Sequence, residues 1–247
     1  MFFSQRITNN TCLSYFYGCL SSAEGVAVDV VEGDEQWFID ESQRRYVSIR
    51  YVIDTHIHAD HRSGGRNLAK FVHADYALHE SAFPLVTFPF LALHDDEILT
   101  CGRVQSKVLH TPGHTMESIC LEVTDLRRSI HPWFLLTGDT LFIGSVGRAD
   151  LAGEVQKMAG ILFDTLREKF DNREDYLEIW PAHGPGTACG VSEISGKTSS
   201  TLGFERVNNP FLNIHDRKEF IDRLIQTTIV QPEHMEEIIR SNRGLPP

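Results

Sequence analysis

The sequence predicts an α/β layered sandwich rather than a doubly wound sheet. Three observations carry this expectation. Short strand-like runs fall into two groups, several of them follow one another with no crossover helix, and helical patterns lie between and after the groups. Cys12–Cys19, Gly25–Val31 and Arg50–Asp54 are apolar or alternating runs bounded by Gly, Asp and Asn, the mark of strands. Asp34–Arg45 is amphipathic enough for a helix between the last two, and Gly64–Phe71 begins another helix. Asp75–Leu78, Arg103–His110, Ser118–Val123 and Pro132–Thr137 then read as a run of strands. Ala152–Phe170 reads as a helix with Val155, Met158, Ile161, Leu162 and Leu166 at core-facing spacing. Leu177–Trp180 is a last short strand, and residues 216–226 and 232–241 form two terminal helices.

A length of 247 residues with no repeat, low-complexity tract or long linker predicts a single domain over 1–247. Hydrophobic residues make up 41% and charged residues 23%, enough apolar surface for a buried core. The formal net charge of −11 argues against a nucleic-acid partner, which needs a basic face, but leaves room for a small anion met by a local arginine. Cys12, Cys19, Cys101, Cys120 and Cys189 are an odd, scattered set without Cys-x-x-Cys. They predict a reducing compartment rather than a disulfide framework. No apolar run suits a signal peptide or a membrane span. A soluble cytoplasmic protein with no membrane partner is the expectation, and exposed strand edges and terminal helices would suit a homodimer.

The densest chemistry lies in Thr55-His-Ile-His-Ala-Asp-His61, just past the apolar run Tyr51–Ile53. His56, His58 and Asp60 alternate, so an extended segment points them the same way, while His61 adds a second direction. Imidazole is the commonest transition-metal ligand, and so many ionisable groups packed together need a cation to offset their desolvation. Four further segments follow apparent strands: His110-Thr-Pro-Gly-His114-Thr, Thr137-Gly-Asp139-Thr, Gly147-Arg-Ala-Asp150 and Trp180-Pro-Ala-His183-Gly. Alone, each could be a capped loop histidine, a turn aspartate or an exposed ion pair. Strand-end loops that converge on one sheet edge are, however, a common way to assemble a site.

The order His-x-His-x-Asp-His, Thr-Pro-Gly-His-Thr, Thr-Gly-Asp-Thr, Pro-Ala-His-Gly resembles the metallo-β-lactamase superfamily, over roughly residues 10–190. The resemblance implies an αββα sandwich, here with C-terminal helices in an extension of about 191–247. It also implies that His56, His58, Asp60, His61, His114, Asp139 and His183 fill the superfamily's metal-ligand positions. Within it, Phe142–Leu151 with Gly147-Arg-Ala-Asp150 is similar to the persulfide dioxygenases. Pro181–Gly190 and Ser199–Pro210 resemble the metallo-domain of those fused to rhodanese domains. The chain leaves no room for a rhodanese domain, so a stand-alone version is expected.

That family implies one Fe(II) per chain held by His56, His114 and Asp139, the catalytic centre, with open positions for substrate and O2. It implies hydrogen-bonding work for His58, Asp60, His61 and His183, the residues that would otherwise hold a second metal. The implied reaction oxidises glutathione persulfide, or another low-molecular-weight persulfide such as that of coenzyme A or bacillithiol, to sulfite and thiol. Arg148 would hold a substrate carboxylate in a forked ion pair oriented by Asp150. Cys189, six residues past His183, would lie near the site mouth and relay a persulfide, or else be a small buried core residue. The alternative is a glyoxalase II-type hydrolase with zinc or two metals, which cleaves a glutathione thioester and uses all seven ligands.

Overall fold

In the computed structural model, residues 1–151, 154–187, 189–190, 194–227 and 234–246 are described. Strands β1 (Phe2–Thr8), β2 (Cys12–Cys19), β3 (Glu24–Val28), β4 (Ser48–Ile53), β5 (Asp75–His79) and β6 (Leu91–Leu93) form one sheet in that order. β1–β2 and β2–β3 pair antiparallel; β3 to β6 run parallel. Helices α1 (Glu35–Arg45) and α2 (Gly65–Val72) make the parallel crossovers and cover the outer face, where Phe38 and Leu68 pack with Phe16, Ala27 and Val52.

The second sheet contains β7 (Ile98–Cys101), β8 (Val104–His110), β9 (Ile119–Asp125) and β10 (Phe134–Gly138), joined by β13 (Glu178–Pro181) and β14 (Ser200–Thr201). Its order is β14-β13-β10-β9-β8-β7, and β10–β13 is its parallel pair. A small hairpin, β11 (Leu141–Phe142) with β12 (Ser145–Val146), follows β10. Helices α3 (Val155–Phe170), α4 (Leu202–Asn208) and α5 (Arg217–Gln226) lie on the outer face, and α6 (Met235–Asn242) comes last. Between the sheets, Leu13, Tyr15 and Tyr17 meet Val104, Val108, Leu121 and Val123. The layers are therefore helix, sheet, sheet, helix, the αββα sandwich expected. No helix among the described residues is long and apolar enough to cross a membrane.

The helix expected from Ala152 is seen from Val155. Met158, Leu162 and Leu166 are buried in it, and Val155 and Ile161 are half-buried. Ala152, Gly153 and the start of the expected 232–241 helix lie outside the described residues. The elements not expected include β1, β6, β7 and α4. β1 carries Ser4, Gln5 and Arg6 in succession between its apolar residues and is half-buried along an edge. β6 and β7 are only three and four residues long, too short for a periodic signal. α4 is set by its N-cap, where the Thr201 hydroxyl accepts from the Phe204 N–H at 3.3 Å, rather than by an apolar stripe.

The Pro-Gly turn after β8 is fixed by packing as well as by conformation. Gly113 has φ +140, and a Cβ placed there would stand 2.5 Å from Leu162 Cα on α3. Gly113→Ala is thus expected to lower unfolding stability by about 3 kcal/mol, combining backbone strain with overpacking. Urea denaturation of the metal-free protein measures it, and a change below about 1 kcal/mol would refute the steric account.

Candidate metal centre

Each motif leaves the sheets at the same edge because of strand register. Parallel β3–β4 pairing ends at Val28↔Ile53, so Asp29 and Thr55 emerge side by side. The Thr55 N–H donates to Asp29 Oδ1 at 2.7 Å, with Asp29 at φ +53, a conformation aspartate tolerates. Parallel β10–β13 pairing ends at Gly138↔Pro181 and puts Asp139 beside His183. The Ile119 N–H donates to the Thr55 carbonyl at 2.8 Å, joining the two sheets at this edge. The loop after β8 then brings in His114.

Three buried donor atoms meet there. His56 Nε2 lies 3.6 Å and His114 Nε2 3.4 Å from Asp139 Oδ2. All three atoms lack a hydrogen-bond partner. Ligand atoms about 2.1 Å from one ion stand about 3.0–3.4 Å apart in octahedral or tetrahedral sets, so this trio fits a single metal ion. The outer edges of both rings are tied down. His114 Nδ1–H donates to the Arg148 carbonyl at 2.9 Å. His56 Nδ1 faces Thr55 Oγ1 at 3.0 Å, and that hydroxyl donates to Asp29 at 3.0 Å. Such bonds place the proton on Nδ1 and leave the Nε2 lone pair for a metal.

The other four ionisable residues are arranged differently. His58 Nε2–H donates to Asp29 Oδ1 at 3.2 Å, and its Nδ1 is without a partner. His183 bridges two carboxylates, with Nδ1 2.7 Å from Asp139 Oδ1 and Nε2 2.8 Å from Asp60 Oδ2. His61 Nδ1 also meets Asp60 Oδ2, at 3.2 Å. Cys12 adds its Sγ to this second cluster, 3.7 Å from Asp60 Oδ2 and 3.8 Å from His61 Nδ1.

No family model matches the chain. Among solved structures, a metallo-beta-lactamase from Staphylococcus aureus subsp. aureus COL superposes with TM-score 0.91 at 30% identity, over 98% of this chain and 72% of that one. A probable hydroxyacylglutathione hydrolase of Schizosaccharomyces pombe is 31% identical over 202 residues, which cover 70% of this chain and 71% of the relative. The chain belongs to the metallo-β-lactamase superfamily. The persulfide dioxygenase ETHE1 of Bos taurus is 25% identical over 231 residues, covering 93% of this chain and 82% of the relative. The chain spans only 57–63% of the length of several other hydroxyacylglutathione hydrolases it matches.

Electrostatics pulls the histidines at these positions in opposite directions: His56 and His58 down, His61 and His183 up. Burial, with His58 beside it, holds the His56 imidazole well below the usual histidine range, in the neutral form a metal requires. Burial and His61 push His58 down to about 3. Burial works against ionisation of Asp139, but His183 and His56 outweigh it and hold the carboxyl below the usual carboxylate range. His183 goes the other way. Burial opposes its charge, yet Asp139 and Asp60 hold its pKa well above the usual histidine range. It is an imidazolium clamped between two carboxylates.

The Gly147-Arg-Ala-Asp150 segment lies directly over the metal ligands. A Cβ at Gly147 would stand 2.0 Å from the Asp139 carbonyl, so only glycine lets this strand pass. Arg148 and Asp150 form the expected fork, at 2.5 and 2.6 Å, but its direction needs correction. The Arg148 side chain is 0% exposed and the Asp150 side chain 29%. Burial pushes the Asp150 carboxyl up, and the Arg148 hydrogen bond more than offsets it. The guanidinium is thus already occupied inside the protein rather than held out to a substrate, and its carbonyl orients His114. Of the two expectations for Cys189, the buried one is met: it packs with Phe142 and Ile194, burial pushes its thiol well up, and its Sγ lies within 4.8 Å of donor atoms of Asp139 and His183.

Asp29 and Cys12 carry no motif of their own, and Thr55, first residue of the heptad, was given no role from sequence; strand pairing brings them in. Two outcomes test the division of roles. His56→Gln or His114→Gln should abolish stoichiometric metal, whereas His58→Gln should weaken binding by about 10–100-fold, as loss of an outer hydrogen-bonding partner does. Metal analysis after dialysis ranks them, and equal loss in all three would make His58 a direct ligand. Arg148→Ala breaks a largely buried ion pair and should cost about 3 kcal/mol of unfolding free energy in the metal-free protein. If that stability were unchanged and only substrate binding suffered, Arg148 would be a substrate anchor after all.

Proposed function

We propose that this chain is a mononuclear non-haem iron dioxygenase acting on a low-molecular-weight persulfide, glutathione persulfide or a close analogue. The observation that carries the reading is the partition of donor atoms. His56 Nε2, His114 Nε2 and Asp139 Oδ2 are free of hydrogen bonds and converge, whereas His183 spends both ring nitrogens on carboxylates and the unpartnered His58 Nδ1, His61 Nε2 and Asp60 Oδ1 lie outside that trio. Two histidines and a carboxylate are the ligand set that leaves adjacent positions open on Fe(II). The likeness to the bovine persulfide dioxygenase over 93% of the chain supports the same reading.

The balanced reaction is persulfide RSSH with O2 and H2O giving RSH, sulfite and two protons. Fe(II), when bound, supplies open coordination positions and the electrons that activate O2 beside a soft sulfur anion. The chain's own residues hold that centre and manage protons around it. Thr55 and Asp29 fix the His56 ring, and the Arg148 carbonyl fixes His114. His183 carries a proton 2.7 Å from Asp139 and 2.8 Å from Asp60, placed to donate toward negative charge that develops nearby. Near-complete burial of the ligands, at 0–1% exposure, limits competing water.

A hydrolytic reading has its own support in the 31% identity to the fission-yeast hydroxyacylglutathione hydrolase. It would need two metals, with His183 released from its carboxylates to join the unpartnered His61 Nε2 and Asp60 Oδ1 on the second. Anaerobic reconstitution separates the two. The expected result is about one Fe per chain and O2 uptake that depends on glutathione persulfide and stops after chelation. Two metals per chain, with thioester hydrolysis and no O2 uptake, would overturn the dioxygenase.

A further inference from the structure

The far end of the chain returns to the metal-binding loop. Asn242, the last residue of α6, is 7% exposed and lies against residues 58–63. Its Nδ2 donates to the carbonyls of His58 and His61, both at 2.9 Å, and its Oδ1 accepts from the Ser63 N–H at 2.9 Å. Among the described residues, those three main-chain groups make no other hydrogen bond. One carboxamide therefore supplies the pairing that this irregular, buried segment would otherwise lack.

The rest of α6 shows what this contact is for. Asn242 is the helix's one fully buried residue among those described; Met235, Ile238 and Ile239 are only half-buried, so the apolar face of α6 anchors it weakly. Polar stitches to the loop's neighbourhood add to it: Arg62 pairs with Glu237, Arg66 Nη2 donates to the Ser241 carbonyl at 3.1 Å, and the Thr87 N–H donates to the Arg243 carbonyl at 3.0 Å. Ile239 and Arg243 face Ile57 and Ala59 across a cavity of about 140 Å³. A helix held this way has low local stability, and its docking depends on the shape of the loop beneath it.

We propose that Asn242 is a positioning residue for the metal-binding loop, and that docking of α6 and metal binding are thermodynamically coupled. The loop geometry that aims His56, His58, Asp60 and His61 inward is also the geometry that presents two carbonyls and an N–H to Asn242. Each event therefore favours the other, by the same factor in both directions. The proposal rests on metal binding at this loop and on neither reaction.

The test uses the full chain with Fe(II) under argon and, in parallel, Zn(II), with affinity read by chelator competition. Asn242→Leu keeps the volume and removes the three bonds. It should weaken metal binding by about tenfold or more, within the usual 5–150-fold range of coupling. In the unsubstituted chain, metal addition should slow amide exchange across 235–242 by a comparable factor, a response that a merely structural asparagine would not give. Affinity within twofold of the native value, or α6 exchange indifferent to metal, overturns the proposal. Should the variant fail to fold, the exchange measurement on the native chain decides alone. A native chain that binds neither ion would remove the metal reading and this coupling together, whereas native binding without the coupling removes only the coupling.

Discussion

A carboxylate removed from water must have its charge answered on every side, and Asp139 is where this structure meets that demand. One oxygen receives the His183 imidazolium; the other faces the lone-pair edges of His56 and His114 with no proton between them. Lone pairs aimed at a carboxylate in a dry site repel unless a cation sits among them. The metal requirement therefore follows from burial and tautomer together. Its influence reaches outward, since Gly147 must pass over the Asp139 carbonyl and Arg148 must hold His114 for the trio to remain aligned.

The sandwich supplies this arrangement through register rather than through any one loop. Two parallel pairings, β3–β4 and β10–β13, deliver two neighbouring residues each to the same edge, and the Ile119–Thr55 bond locks one sheet to the other there. Parallel strands end together, so residues that follow them are brought side by side however far apart they are in sequence. The helices α1 and α2 serve the site indirectly by making the parallel crossovers possible.

Most residues of the candidate site were legible in the sequence because the loop from His56 to His61 is contiguous and the later motifs each carry a turn signal. The layered fold was legible for a similar reason: apolar periodicity marks strands buried on one or both faces. β1 was not, since a half-exposed edge strand with Gln and Arg in it has no such periodicity. Nor were Asp29 and Asn242, ordinary polar residues whose importance comes from partners 26 to 29 and 179 to 184 positions away. Nor was the inward turn of the Arg148 side chain, since chain proximity to a motif says nothing about which side of a backbone a side chain takes.

Seven filled ligand positions do not by themselves set metal stoichiometry, because a side chain is a ligand only through an atom with a free lone pair. His183 illustrates this. Held between Asp139 and Asp60, it has a proton on each nitrogen and cannot bind an ion without giving up two charge-assisted hydrogen bonds in a dry site. A second ion would find His61 Nε2 and Asp60 Oδ1 without partners but would have to overcome the proton on His183. The first ion meets no such obstacle, since its three donors already lack partners. The same residue identities thus support a dinuclear centre in one hydrogen-bonding state and a mononuclear one in another.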